Sequence, residues 1–114
     1  MNAEEFVKLI KEYVLDSTVS SVQSTLSSPP GRSPSKDILE IANWYNSIGE
    51  SDKEMVANII RKTARDAIFG FFCVLDGVRP IERTNKGELK LYYKREDEHV
   101  LLNDQSKINL HELI

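Results

Sequence analysis

The side chains able to do chemistry are few in this chain and crowd towards its C-terminus. Among 114 residues there are two histidines, His99 and His111, and one cysteine, Cys73. Glu96, Asp97 and Glu98 precede His99 directly, and Asp104 and Glu112 lie further along. Imidazole and carboxylate together make hydrolytic metal sites and general acid–base pairs. Here their spacing matches no pattern that fixes ligands on one helix face or one loop, so neither a metal nor a cofactor is expected. "REDEH", 95–99, reads instead as a solvated turn, with Glu96, Asp97 and Glu98 free to meet a basic protein. His111, in the otherwise apolar "INLHELI", reads as a hydrogen-bonded anchor for that tail. Cys73 sits in "IFGFFCVL", where a free thiol packs as a small hydrophobe. A single cysteine forms no intrachain disulfide, and a reducing compartment is the simplest inference.

The remaining chemistry is that of surfaces. No Walker loop, dinucleotide fingerprint, H-E-x-x-H motif or cysteine pair is present. Arg61, Lys62 and Arg65 form a basic strip, but Asp66 follows Lys62 at i+4 and offsets part of it. With 15 basic and 18 acidic residues interspersed and a net charge of −3, nucleic-acid binding is not expected. Trp44 reads first as a core or rim aromatic beside the second helix's stripe; it and Tyr92, which adjoins Tyr93 on a strand among charges, are the aromatics that could anchor a protein partner. The N-terminus begins with acids and has no basic, then apolar, leader pattern. The longest strongly apolar stretch, 67–75, falls far short of the roughly 20 residues of a membrane span. A cytoplasmic protein is the expectation.

These side chains must be placed by elements that periodicity predicts. Residues 2–26 read as a helix opened by an Asn2–Glu5 capping box, with Phe6, Leu9, Ile10, Tyr13 and Val14 as its apolar stripe. Leu15, Val19, Val22 and Leu26 continue at helical spacing on a rotated face. "SSPPGRS", 27–33, is a loop. A second helix, 34–48, starts from Ser33 as N-cap and carries Ile38, Ile41, Ala42, Tyr45 and Ile48 on one face, with Trp44 beside them. The third, 52–76, opens on the S-x-x-E box Ser51–Glu54 and carries Val56, Ile60, Ala64, Ala67, Ile68, Phe71 and Leu75 through Gly70. Asp76-Gly77 fits either a helix end or a hairpin turn; the unbroken stripe favours the helix end.

After Gly77 the period changes to two. The pattern predicts a three-stranded antiparallel meander over 79–103: a strand at 79–83, a loop at Asn85-Lys86-Gly87 with Gly87 left-handed, "ELKLYYK", a polar turn and "HVLLN". The tail 108–114 docks as a helical turn or a last strand. The expected fold is a single α+β domain, three N-terminal helices packed on a small C-terminal three-stranded sheet, with the 56–75 stripe covering the sheet.

Three short strings, "VLDGVRPIE" at 74–82, "LLND" at 101–104 and "LHEL" at 110–113, resemble the closing half of small uncharacterised bacterial proteins, some of them similar to immunity proteins of toxin systems. The resemblance covers the last third of the chain and transfers no site residue. It implies a non-enzymatic protein that acts by binding another protein, as an immunity-like inhibitor does. Two alternatives stand beside it. One is a small enzyme whose Asp, Glu and His side chains converge only in the fold, marked by His99 or His111 meeting two acids in a cleft. The other is a homo-oligomeric, for instance homodimeric, regulatory or structural protein with Trp44 or a sheet edge at its interface.

Overall fold

Asn2 starts the first helix as its spacing predicts: its side chain accepts the Glu5 N–H at 2.9 Å. In the computed structural model, which describes residues 1–114, the helical path runs unbroken from Ala3 to Ser27 in three pieces. These are α1 (Ala3–Ile10), a π-helical segment (Lys11–Asp16) and α2 (Ser17–Ser27). The π segment accounts for the rotated stripe. At 3.6 residues per turn, Leu15 would lie about 80° around the helix from Val7. The wider π turn takes up the difference, and Val7, Leu15 and Val19 are all buried. The cost falls on residues the stripe would have buried: Tyr13 is 69% exposed and Val14 43%. Val7, absent from that stripe, is in the core.

The proline-rich loop turns the chain back, and α3 (Lys36–Ser47) lies against α2. Its cap is Ser35, which accepts the Ile38 N–H at 3.3 Å, so the helix begins two residues later than Ser33 and Pro34 suggested. The Asn46 side chain donates to Leu26 O at 3.2 Å and so ties α3 to the C-terminal end of α2. Only Ile48 and Gly49 separate α3 from α4 (Glu50–Leu75). Gly49 is the N-cap of α4, so the Ser51–Glu54 box falls inside the first turn and caps nothing.

α4 runs straight through Gly70. The Arg79 guanidinium lies over that glycine, so close that a Cβ would collide with it. The stripe shifts slightly here: Phe72 and Cys73 are buried, while Phe71 is 60% exposed and Ala67 is also exposed. The helix ends in a Schellman motif. Val78 N–H donates to Cys73 O (3.0 Å), Gly77 N–H donates to Val74 O (3.1 Å), and Gly77 has φ +77°. The helix-end reading of Asp76-Gly77 therefore holds.

The three-stranded meander does not form. Only β1 (Tyr92–Arg95) and β2 (Glu98–Leu101) pair, antiparallel, with Tyr92 opposite Leu101 and Arg95 opposite Glu98. Residues 77–90 are exposed throughout and form no strand. Pro80 supplies no ladder donor, and the segment is tied by side chains instead. Glu82 accepts the Gly87 N–H (2.7 Å), and Asn103 holds Leu89 and Leu91. The left-handed residue of this loop is Asn85 (φ +50°), not Gly87.

Nor do the helices cover a sheet. The core is Val7, Phe72 and Leu110, so α1 and α4 close on the tail helix α5 (Leu110–Leu113), the helical alternative for the tail. Phe6 and Ile68 pack around it. The fold remains α+β, but it is mostly helical with one small hairpin. No helix is long and apolar enough to cross a membrane.

Candidate functional site

The C-terminal end of α4 leaves carbonyls that no further helical turn can satisfy, and polar side chains from the last twelve residues meet them there. The Asn103 amide, buried, donates to Leu75 O (2.6 Å) and Leu89 O (2.8 Å), and its Oδ1 accepts the Leu91 N–H (2.8 Å). Gln105 donates to Asp76 O (3.0 Å). Asp76 Oδ2 accepts the His111 backbone N–H (2.9 Å) and lies 2.8 Å from His111 Nδ1. The His111 ring also meets the edge of Phe69, centroids 5.7 Å apart. Arg65 donates to Ile114 O (3.2 Å) at the chain end.

His111 is therefore the tail anchor its sequence position suggested, and its partner is the carboxylate beside the helix cap. Asp76 Oδ1 is buried without a hydrogen-bond partner. The pair has the carboxylate–imidazole geometry of a general base, but no second acid joins it. His99 is elsewhere, exposed on the hairpin with its ring against Tyr92, centroids 4.6 Å apart. No group of three or more His, Cys, Asp or Glu side chains is gathered closely enough to hold a metal ion. Cys73 is buried. Asp104, at the exposed surface, accepts from both the hydroxyl and the N–H of Ser106 (2.7 and 3.0 Å). These bonds, helped by Lys107 and Lys90, hold its carboxyl below the ordinary range.

The residues expected to meet a partner are dispersed. Glu96 and Asp97 form the exposed two-residue turn between β1 and β2, Glu96 with φ +51°. Glu98 pairs with the amino group of Met1. Tyr92 is about half exposed on the same hairpin. Trp44 is far along the chain on α3, 55% exposed, at an apolar groove of about 400 Å³ between α2, α3 and α4. Val22, Leu26, Ile38, Ile41, Val56 and Ile60 make up the apolar lining around it. None of the hairpin residues reaches that groove.

No family model, curated protein or solved structure matches the chain.

The groove, then, stands on its own geometry. Sequence periodicity assigned its lining to the helix stripes and marked only Trp44 as a candidate anchor. The available signal was an excess: α3 carries Ile38, Leu39, Ile41, Ala42, Trp44 and Tyr45, more apolar side chains than one helical face can bury. Of these only Ala42 is fully buried. A second cavity, of about 360 Å³, lies beneath the 79–89 loop, lined by Arg79, Glu82, Lys86 and Gln105 among others. It is the underside of an exposed loop and gathers no histidine or cysteine.

Proposed function

We propose that this chain is a non-enzymatic protein-binding protein and that its partner surface is the groove between α2, α3 and α4. The observation that carries the reading is the groove's composition. Apolar side chains from three helices are open to solvent there, with a half-exposed tryptophan among them. Contiguous apolar surface of this kind marks interaction sites, and tryptophan is the residue most enriched at their energetic centres. The enzyme reading loses its support, because His111 meets one carboxylate rather than two and that carboxylate pins the tail. The exposed Glu96 and Asp97 offer a basic partner a secondary contact.

A photoreactive amino acid in place of Trp44, activated in cells expressing the full chain, tests the proposal. A protein adduct at 44, absent when the probe replaces exposed Ile81, is the expected result. An adduct with a toxin-like protein would make the chain an inhibitor of the immunity kind. No adduct at 44 or at Ile41 overturns the groove as the partner surface.

A further inference from the structure

We infer that the partner seated in this groove is a second copy of the chain, in a two-fold dimer where each protomer's Trp44 enters the other's groove. The inference rests on the groove reading above and names its occupant. Surface area gives the first argument. A compact monomer of 13.0 kDa exposes about 6,300 Å². This chain exposes 8448 Å², an excess of about 2,100 Å². A stable interface takes roughly 800 Å² from each partner, so a dimer fits within the excess. The exposed 77–90 loop accounts for part of the remainder.

Shape gives the second argument. A two-fold interface uses the same patch on both subunits, so that patch must complement itself. This one carries both halves of the fit: a half-exposed indole and the open apolar groove that it lines. Met55 and Ile59, 60% and 59% exposed, lie one residue before Val56 and Ile60, about 100° around α4 and outside the groove's own lining.

Charge gives the third. Two of the cations near the groove are already engaged within the chain. Arg61 pairs with Asp16 at 3.3 Å; Lys53 pairs with Glu50 at 3.7 Å and lies 5.3 Å above the Tyr45 ring. No run of free cations remains there to select a strongly acidic partner, and apolar self-recognition needs none.

Size-exclusion chromatography with light scattering on the purified full chain decides the matter. At about 100 μM the expected mass is twice the chain's 13.0 kDa. Trp44→Ala weakens self-association by about 30-fold or more, the loss typical of an interface hot spot. Ile41→Asp does the same, and both variants keep the wild-type circular dichroism. Ile81→Asp, on the exposed loop, leaves the dimer intact. A wild-type monomer at that concentration overturns the inference, as does a dimer that survives both groove variants with their helical signal unchanged. A monomer whose position 44 still crosslinks to a different protein removes the second copy and keeps the groove.

Discussion

Asn103 does with one side chain what a third strand would have done with a ladder. Three backbone groups, Leu75 O, Leu89 O and Leu91 N–H, end on it. Asn103→Ala leaves them unpaired and is expected to cost about 2–3 kcal/mol in urea unfolding followed by circular dichroism. A loss under about 0.5 kcal/mol would show that water replaces the amide. Glu96 is a smaller case: a non-glycine residue at φ +51° in a two-residue turn. Glu96→Gly is expected to gain up to about 1 kcal/mol in the same assay. At Asp104 the effect is on acid titration. Its carboxyl is held low chiefly by the Ser106 hydroxyl, then by the Ser106 N–H. A carboxyl whose folded pKa is depressed contributes its stability above the unfolded pKa and loses it as pH falls through the folded one. Ser106→Ala is therefore expected to move the Asp104 titration, followed by carbon NMR, upward towards the ordinary aspartate range. An unmoved midpoint would exclude the hydroxyl as the cause.

At the scale of elements, the π segment is one extra residue accommodated without breaking the helix. It keeps Val7, Leu15 and Val19 on the buried side while α1 and α2 pack against different neighbours. Deleting the exposed Tyr13 is then expected to return the segment to α-helix with the core phase kept. Helical content is retained and stability changes by less than about 1 kcal/mol in thermal unfolding. Deleting Ser20 instead swings Val22 and Leu26 about 100° away from the groove and should cost more. Equal losses for the two deletions would count against the π segment as an insertion. The hairpin is marginal by itself, as two strands are. It is held by Met1 at Glu98 and by Asn103 behind β2.

The whole molecule is extended. Its radius of gyration is 18.4 Å, against about 13 Å for a compact chain of this length. Only 11 of 114 residues are buried, so the isolated chain leaves large hydrophobic side chains in water along both α3 and α4. If apolar self-recognition covers them, raising salt from about 0.05 to about 0.5 M leaves the dimer mass unchanged; dissociation would assign the contact to unscreened charge. Local sequence determined a good deal of this protein. Asn2 as a cap, the helical path from Ala3, the Schellman end at Gly77, the buried thiol, the polar hairpin turn and His111 as an anchor all follow from interactions within a few residues or from simple burial. Helix starts at α3 and α4 moved by two residues because Ser35 and Gly49 compete as caps with equally plausible neighbours. Only the tertiary structure decided that residues 79–83 stay out of the sheet, that Phe72 and not Phe71 turns inward, and that Asp76 and His111 meet across 35 positions. It also decided that the apolar faces of α2, α3 and α4 form an open groove rather than a closed core. A repeat of apolar residues states that a face must be covered; what covers it depends on contacts distant in sequence, which no local pattern records.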